Sequence, residues 1–379
     1  MRVLHVIEVT SGGVVTYVRT LAAAQSRAGH DVHVVAPPDV TMPDVTMHHW
    51  GFARRDPLHW RSAARVLQSQ VRSVDPDVVH LHSFFAGALG RLVRLRHGSR
   101  PRIVYQPHSW AFEVTDSRLA AALVTRWERF AAGRTDALVV NCDDERREGA
   151  EHGIRSAITV VGLPLDTERF RPASLDRRAE LRAGWDVADR LVVVCVGRIS
   201  RQKGQDQLVS EWERSPIPGA VLVLVGDGDA QRLAPLAPAE WGRSIRAVGP
   251  TDDVREWIHA ADVCVLSSRY EGQSVAMAEA MSCGVPVVTT RVNGVTEALL
   301  DGPEPAGGAV VALGDMAGLL DRCRPFAEER GSSGEPSAAA RARAVRQFSP
   351  PQVIARLDRV YQDAVDEPVS GPGSRRASR

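Results

Sequence analysis

Lysine is almost absent from this chain. The sequence has 47 Lys and Arg residues in total, and Lys203 is the only lysine among them. Together with the abundance of Ala, Arg, Val and Gly, this indicates the coding bias of a GC-rich genome and carries no functional information by itself. The bias makes arginine the default cation, however, so the one position that holds a lysine becomes a candidate functional residue.

Paired cysteines and long apolar runs are lacking as well. None of the 5 cysteines forms a C-x-x-C pair, and three lie in or beside apolar runs, which is typical of buried structural thiols. No apolar stretch approaches the roughly 20 residues that a membrane-spanning helix needs, and the N-terminus has no apolar core or cleavage site of a signal peptide. We therefore expect a protein of the reducing cytoplasm.

An excess of charge of one sign is also missing. The formal net charge is +1, so no overall field selects nucleic acid or a membrane as partner. No aromatic residues are interleaved with basic ones as a stacking platform, which leaves nucleic-acid binding poorly supported.

What the sequence does contain is an alternation of short Val-rich runs and longer helical patterns. The runs are continuous rather than alternating, which predicts strands buried on both faces of a parallel sheet. Helical segments such as 17–28 and 60–71 predict repeated βαβ units. The predicted strands are 3–9, 31–37, 78–82, 103–108, 137–141 and 158–162 in the first half, and 191–197, 220–226, 263–268, 286–291 and 309–313 in the second.

The two series are separated by a Pro-rich and charged stretch, residues 162–178, which reads as a linker. A length of 379 residues suits two domains of ordinary size. We predict an α/β chain of two facing doubly wound, Rossmann-like domains, residues 1–170 and 171–348, then a helix at 349–366 and a disordered basic tail at 367–379. Ligands of such sheets bind beyond the carboxyl ends of the strands, so the cleft between the domains is the expected site.

The stretch SRYEGQSVAMAEAMSCGVPVV, residues 268–288, carries the first candidate site. Ser274 is the predicted N-cap of a helix over about 275–283. Glu271 lies in the loop before that helix and Glu279 lies about one turn inside it. The backbone N–H groups of Gly272, Gln273 and Ser274 stand at the helix N-terminus, which favours an anion such as phosphate. Either glutamate alone would read as a solvated surface residue, but the two bracket a helix start that follows a buried strand.

Arg198 and Lys203 follow the predicted strand 191–197 and are expected at the same edge of the sheet. Arginine can fork two phosphate oxygens, whereas lysine is a compact, mobile point charge. Together they can neutralise a diphosphate without a metal. The stretch is not a P-loop, because the glycine follows the lysine and no Ser or Thr comes after it. A solvated basic turn is an equally weighted interpretation of the pair alone.

Two weaker signals lie in the first half. Gly12 and Gly13 follow the first strand and open a helix, where glycine permits a close backbone approach to a ligand. The spacing is not that of a dinucleotide fingerprint, and a structural turn is the plainer interpretation. His108 stands at the carboxyl end of a predicted strand, where it could meet a ligand, although a lone histidine is more often structural.

Taken together, these stretches resemble the family 4 glycosyltransferases, which have the GT-B fold. The resemblance covers nearly the whole chain: the Gly12–Gly13 loop, PDVVHLH at 76–82, His108, GR…KG at 197–204 and the pair of glutamates. The last two motifs together are specific. The resemblance implies a retaining hexosyltransferase whose co-substrate is a nucleoside-diphosphate sugar, with no metal or other cofactor required. It also implies that the final helix, about 351–363, crosses back onto the first domain.

The resemblance also implies roles for individual residues. Arg198 and Lys203 would bind the donor diphosphate, Glu279 would hold the ribose hydroxyls, and Glu271 would contact the transferred sugar, helped by the backbone N–H groups of Gly272, Gln273 and Ser274. Gly12 and Gly13 would line the donor site and His108 would belong to the catalytic centre. The fixed cations would then stabilise the departing nucleoside diphosphate more strongly in the transition state than in the ground state.

The sequence departs from the family pattern in three places. GLPLD at 162–166 replaces the usual Asn-Gly-Val-Asp before the linker. Gln273 and Ser274 stand where an aromatic or aliphatic residue and a second glycine are common, which predicts an altered choice of sugar. Asp143 and Asp144 occupy the place of a usual Ser-Glu pair, with no consequence that the sequence assigns.

Competing interpretations remain open at this stage. Asp227 and Asp229 form an Asp-x-Asp that could hold a divalent cation, but a turn is favoured. His80 and His82 share a strand face, yet zinc is disfavoured without further ligands.

The basic cluster 91–102 reads as a solvated helix face, with contact to a membrane surface as a minority interpretation. A GT-B epimerase of nucleotide sugars and a non-catalytic sugar-nucleotide-binding partner are the alternative functions. The acceptor and the oligomeric state are not determined by the sequence.

Overall fold

The chain folds as two compact units. The structure is a computed structural model that describes all residues except 52–56, 94, 96–100, 116, 252, 303–304, 329–336 and 367–379. Residues 1–140, 146–161 and those from 353 onward form the first unit, and residues 141–145 and 162–352 form the second. Each unit is built on one parallel sheet, as the Val-rich runs predict.

The first unit has a seven-stranded parallel sheet in the order β3-β2-β1-β4-β5-β6-β7. Its strands are β1 Arg2–Val6, β2 Asp31–Ala36, β3 Thr46–His49, β4 Val78–His82, β5 Arg102–Gln106, β6 Ala137–Val140 and β7 Ile158–Val160. Its helices are α1 Gly13–Arg27, α2 Pro57–Val74, α3 Phe84–Leu92, α4 Arg118–Ala132 and most of α5 Asp143–Glu151.

The second unit has a six-stranded parallel sheet in the order β10-β9-β8-β11-β12-β13. Its strands are β8 Leu191–Val196, β9 Ala220–Val225, β10 Ile245–Gly249, β11 Val263–Leu266, β12 Val287–Thr290 and β13 Gly308–Val311. Its helices are α6 Leu175–Gly184, α7 Gln205–Arg214, α8 Arg255–Ala260, α9 Val275–Ser282, α10 Val295–Leu299, α11 Met316–Cys323, α12 Pro325–Glu328 and α13 Ala338–Phe348, with a 3₁₀ helix at Ala230–Leu236.

The last helix, α14 Pro350–Asp366, returns to the first unit, as predicted. Arg356 on this helix donates from Nε to the carbonyl of Val161 at 2.8 Å. Tyr361 is fully buried and its hydroxyl lies 2.7 Å from His80 Nδ1 on β4. These polar contacts join the helix to the first unit.

The central strands are buried on both faces, which explains their composition. All five residues of β4 and all six residues of β9 are buried. Branched aliphatic side chains suit a pleated surface that is packed from both sides by crossover helices. This confirms the interpretation of the continuous apolar runs.

Two strands and one helix of the fold were not predicted. β3 reads TMHH and lies at the edge of its sheet, and β10 lies at the edge of the other sheet, so neither needs a continuous apolar run. The stretch predicted as a linker is only partly irregular, because α6 begins at Leu175 within it. Ser174 caps this helix by accepting a hydrogen bond from Arg177 N at 3.2 Å.

The predicted tail 367–379 and half of the basic cluster 91–102 lie outside the described residues. All five cysteines are free thiols and buried, which agrees with the prediction of structural thiols. Among the described residues, no helix combines the length and the apolar composition that crossing a bilayer requires.

Candidate functional site

The candidate site of the second unit lies where its strand order reverses. β8 and β11 are neighbours in the sheet, while the chain continues from them to opposite sides, to β9 and to β12. At such a switch point the loops after the two strands diverge and leave a crevice at their carboxyl ends. Arg198 and Lys203 follow β8, and the 267–274 loop follows β11, so the topology brings the two sequence motifs to one place.

Lys203 and Glu271 form an ion pair between these two loops. Lys203 Nζ lies 2.6 Å from Glu271 Oε1, and the two side chains are 19% and 7% exposed. Ser268 Oγ also donates to Glu271 Oε1 at 2.7 Å, and Gln202 Nε2 donates to Oε2 at 3.4 Å. A carboxylate held by three donors has a fixed position, which is what precise contact with a ligand requires.

The backbone of the two loops is joined just as closely. Ser267 Oγ donates to the carbonyl of Lys203 at 2.9 Å, and Arg269 N donates to the carbonyl of Gln202 at 2.7 Å. Gly204 has a φ of 67°, and a Cβ at this position would lie 2.1 Å from the carbonyl oxygen of Ser267. Glycine is therefore required directly after Lys203, because any side chain would push the two loops apart.

Arg198 has a different environment from Lys203. It is exposed, and its guanidinium makes no hydrogen bond or ion pair with any residue in the described part of the chain. All of its donors are therefore open to a ligand from solution.

Glu279 lies inside α9 and is 8% exposed. Burial raises its pKa from 4.5 to about 8, and the positive charges of Arg169 and Lys203 oppose that rise. Across the described residues its carboxylate has no hydrogen-bond partner. The predicted N-cap of this helix is confirmed, since Ser274 Oγ accepts from Met277 N at 3.3 Å.

The segment 141–145 packs beside the loop that carries Glu271, which the sequence did not reveal. Cys142 Sγ donates to the carbonyl of Gly272 at 3.2 Å, and Asp144 Oδ2 accepts from Gly294 N at 2.8 Å. Gln273 is 9% exposed, and its Oε1 has no hydrogen-bond partner in the described structure. Asp144 and Gln273, two positions at which the sequence departs from the family pattern, therefore lie in the same part of the second unit.

The candidate residues of the first unit show backbone strain at the carboxyl edge of its sheet. Gly12 caps α1 with a φ of 90°, and a Cβ there would meet nothing within 4 Å, so conformation rather than crowding calls for glycine. His108 and Ser109 after β5 have φ values of 54° and 96°, and Ser83 after β4 has 68°. Non-glycine residues in this region are strained, and such strain clusters at functional sites.

The structure gives different results for the two candidate metal sites, the pair Asp227 and Asp229 and the pair His80 and His82. Asp227 Oδ1 accepts from Gly228 N at 2.7 Å and Asp229 Oδ1 from Gln231 N at 3.1 Å, as in the turn that was favoured. His80 and His82 do converge, and His5 joins them, with one potential ligand atom from each within 4.8 Å of the others. That third histidine lies 75 positions or more away along the chain, which is why spacing did not indicate it.

Comparison with known proteins places the chain in a family. It is 30% identical to D-inositol 3-phosphate glycosyltransferase of Acidothermus cellulolyticus, over 97% of this chain and 89% of that protein. The chain belongs to the family 4 glycosyltransferases. Residues 190–328 match the model of the glycosyl transferases group 1, and residues 11–169 match that of Glycosyltransferase Family 4. It is also 28% identical to the putative glycosyltransferase EpsD of Bacillus subtilis, over 78% of this chain and 79% of that one.

Solved structures identify the fold of this glycosyltransferase as GT-B. HepE of Anabaena, solved with UDP and glucose, has a TM-score of 0.82 at 18% identity and covers 96% of this chain and all 100% of its own. Sucrose-phosphate synthase of Thermosynechococcus elongatus has a TM-score of 0.81 at 20% identity, with 96% and 98% covered. The protein is thus a nucleotide-sugar glycosyltransferase of GT-B fold, as the resemblance implied.

Proposed function

We propose that this glycosyltransferase transfers a sugar from a nucleoside-diphosphate sugar to a hydroxyl acceptor with retention of anomeric configuration and without a metal. The observation that carries the proposal is the Lys203–Glu271 pair, 2.6 Å apart between the two loops of the β8–β11 switch point. It places a cation and an anchored carboxylate side by side, as a donor with a charged diphosphate and a neutral sugar would need.

The diphosphate would be bound by Arg198, by Lys203 and by the N-terminus of α9. Arg198 contributes a guanidinium exposed to solvent, and Lys203 contributes an ammonium that contacts Glu271 in the loop before α9. Cleavage of the donor leaves additional negative charge on the departing diphosphate. Fixed positive groups stabilise that charge more in the transition state than in the ground state, which is the condition for catalysis.

The two glutamates would divide the rest of the donor between them. Glu279 has a buried carboxylate with no hydrogen bond inside the described chain, and ribose hydroxyls would supply the missing donors. Glu271 would contact the transferred sugar. Gln273 would take part in the choice of sugar, because its buried Oε1 has no partner among the described residues and a sugar hydroxyl could donate to it.

His108 would act in the catalytic centre from the first unit, and Gly12 and Gly13 would allow close approach of the donor. The strained backbone of His108 supports this role, since a φ of 54° is costly for a residue with a side chain. Burial lowers the pKa of His108 to about 3, so it would act as a neutral imidazole.

The acceptor side is proposed to include contact with a membrane surface. Leu119, Leu123 and Phe130 on α4 are 71%, 61% and 51% exposed. They lie at positions i, i+4 and i+11, on one face of the helix. Arg118, Arg126 and Arg129 on the same helix are exposed too, whereas its one acidic residue, Glu128, is buried and paired with Arg91 at 2.8 Å. An apolar stripe flanked by arginines suits an anionic lipid surface on the cytoplasmic side.

Transfer can be tested with purified protein and a panel of donors. The names of two relatives suggest UDP-galactose and GDP-mannose as first donors, and those of others suggest D-inositol 3-phosphate as a first acceptor. We expect release of nucleoside diphosphate only with acceptor present, a product with the anomeric configuration of the donor, and full activity in EDTA.

Other outcomes would favour other functions. Release of nucleoside diphosphate without acceptor would favour the epimerase alternative, and no release with any pair of donor and acceptor would favour a binding protein. Loss in EDTA with rescue by magnesium or manganese would return Asp227 and Asp229 as metal ligands.

A further inference from the structure

Four histidines of the first unit form one cluster in its sheet. His5 on β1 lies opposite His80 on β4 in the strand register, His82 follows on the same face of β4, and His108 comes just after β5. His5, His80 and His82 are fully buried, and His108 is partly buried. Four imidazoles packed together are unusual for a sheet core, since each brings two polar ring nitrogens that need partners.

Three of these rings join a chain of hydrogen bonds that begins at Gln25 on α1. Gln25 Oε1 lies 2.7 Å from His5 Nε2, and His5 Nδ1 lies 2.9 Å from His82 Nε2. His82 Nδ1 then lies 2.9 Å from His108 Nε2. The chain therefore runs from a buried amide, through two buried rings, to the residue proposed for the catalytic centre.

Each link of this chain has one possible direction. An amide oxygen only accepts, so His5 carries its proton on Nε2 and offers Nδ1 as an acceptor. His82 must then donate from Nε2 to His5 and accept at Nδ1 from His108 Nε2. The argument holds only for neutral rings, and burial supplies that condition: it lowers the pKa of His5 to about 4 and that of His82 well below its usual value.

The Gln25 amide faces His5 with its oxygen. Gln25 Oε1 is the atom that lies 2.7 Å from His5 Nε2, and the amide nitrogen of Gln25 has no hydrogen-bond partner among the described residues. The C-terminal helix packs against the cluster as well, since the buried Tyr361 hydroxyl lies 2.7 Å from His80 Nδ1.

We propose that Gln25, His5 and His82 are positioning residues that hold His108 as the neutral tautomer with the proton on Nε2 and the lone pair on Nδ1. Any hydrogen bond that His108 Nδ1 makes is then one that it accepts. This inference rests on the proposed role of His108 in glycosyl transfer. The tautomer itself is a property of the folded protein and can be measured without substrate.

A metal ion bound by His5, His80 and His82 is the competing arrangement. If the nitrogens of His5 and His82 that face each other were two of its ligands, both would have to be unprotonated, whereas their separation of 2.9 Å is that of a donor and an acceptor. The group also contains no carboxylate to balance a divalent charge in a buried place. The geometry therefore favours the hydrogen-bonded chain.

The first test is long-range proton–nitrogen NMR of the protein labelled with ¹⁵N-histidine at neutral pH, with signals assigned by single replacements among the 12 histidines. We expect His5, His82 and His108 to carry the proton on Nε2. A proton on Nδ1 of His108, or a mixture of tautomers, would overturn the proposal. A stoichiometric metal ion in the purified protein that EDTA removes with a change in these signals would overturn it as well.

The second test replaces Gln25 with methionine, which keeps the length and removes the acceptor, and with glutamate, which keeps an acceptor. We expect Q25M to give mixed tautomers at His108 and a fall in kcat of about tenfold with donor KM little changed. Q25E should keep the tautomer and most of the kcat. His33 and His48 of the same unit serve as the internal control, because His33 Nδ1 lies 3.0 Å from His48 Nε2. Their NMR signals should not change in either variant. An unaltered His108 signal in folded Q25M would contradict the proposed chain of hydrogen bonds. If Q25M does not fold, the tautomers seen in the spectrum of the parent protein still test the proposal.

Discussion

Lys203 Nζ and Glu271 Oε1 lie 2.6 Å apart and join the loops that follow β8 and β11. An ammonium has three donors, of which this contact uses one, so Lys203 can hold Glu271 in place and still donate twice to a diphosphate. The residues proposed for the two halves of the donor are therefore coupled to each other. This coupling gives a physical reason for the single lysine of the chain.

Replacement of Lys203 by alanine should lower turnover about a hundredfold, because one preorganised charge at a transition state contributes on the order of 3 kcal/mol. Lys203→Arg should lose less activity, but should not match the parent. A planar guanidinium that pairs with Glu271 commits its fork there and cannot also point compactly at the phosphates. Steady-state turnover and donor affinity should be measured for both variants.

Arg214→Ala is the matched control for these variants, since Arg214 ends α7 and its side chain is 76% exposed. It should retain the activity of the parent. Full activity of the arginine variant would show that geometry at position 203 is unimportant. Full activity of a folded alanine variant would remove the loop from the diphosphate site.

Gly204→Ala should destabilise the second unit and displace Lys203. The substitution combines a φ of 67° with a Cβ only 2.1 Å from the carbonyl oxygen of Ser267. Gly219→Ala is the control, because Gly219 has a φ of 71° and open space around its missing Cβ. Gly219→Ala should cost about 1 kcal/mol of unfolding free energy from backbone strain alone.

Chemical denaturation of both glycine variants measures the difference, and donor binding should fall in Gly204→Ala. Equal losses of stability at the two positions would show that the loops yield to the added methyl group. In that case the contact with Ser267 does not fix the position of Lys203.

The roles of the two glutamates can be separated by binding. Glu279→Ala should weaken the affinity for the free nucleoside diphosphate, because its proposed partner is the ribose. Glu271→Ala should lower turnover more than that affinity, because its proposed partner is the sugar, which the free diphosphate lacks. Calorimetry with the diphosphate and steady-state kinetics on both variants give the comparison. Equal losses in the two quantities for Glu271→Ala would contradict the division.

Glu279 should also make the stability of the protein depend on pH. Its pKa is raised from 4.5 to about 8, so between these values the folded state holds a proton that the unfolded state has released. The contribution of the neutral carboxyl is complete below about pH 4.5 and is lost as the pH rises to about 8, with a slope of at most about 1.4 kcal/mol per pH unit. Glu279→Gln should remove this slope.

Unfolding free energies of the parent and of Glu279→Gln, measured between pH 5 and pH 8.5, test this sign. Glu180→Gln is the control, since the Glu180 side chain is 67% exposed. Parallel curves for the parent and Glu279→Gln would mean that this carboxyl titrates normally.

The fold followed from the sequence because its central strands are buried on both faces and are therefore mainly apolar, with His5, His80 and His82 as buried exceptions. β3 and β10 were missed for the same physical reason, since edge strands with a partly exposed face need no such run. Local signals also succeeded at the start of α9, where Ser274 caps the helix as its position indicated. Chemistry that depends on neighbours in sequence was therefore largely predictable.

Partners that are distant in sequence were not predictable. Ser268 and Gln202, which hold Glu271, carry no pattern that distinguishes them from other polar loop residues. Tyr361 meets His80 across 281 positions, and no periodicity connects a C-terminal helix with the fourth strand. The sequence indicated which residues carry charge, and only the fold shows which of them are held in place.

The face of α4 leads to the last prediction, which concerns lipid. The double variant Leu119→Glu/Leu123→Glu should bind vesicles of mixed anionic and zwitterionic phospholipid at least about tenfold more weakly than the parent, since each buried leucine contributes on the order of 1.5 kcal/mol or more and the new charges face anionic headgroups. Both side chains are largely exposed, at 71% and 61%, so their replacement should leave the melting temperature unchanged. Leu175→Glu, a substitution of a leucine that is 51% exposed on α6, is the matched control and should bind as the parent does. Binding of the parent should also weaken as the salt concentration is raised, because salt screens the attraction between the arginines of α4 and the anionic headgroups.

Two results would remove the membrane contact from the proposal. One is a parent protein that does not sediment with anionic vesicles, and the other is an equal loss of binding in Leu175→Glu. The acceptor should then be sought among molecules in solution.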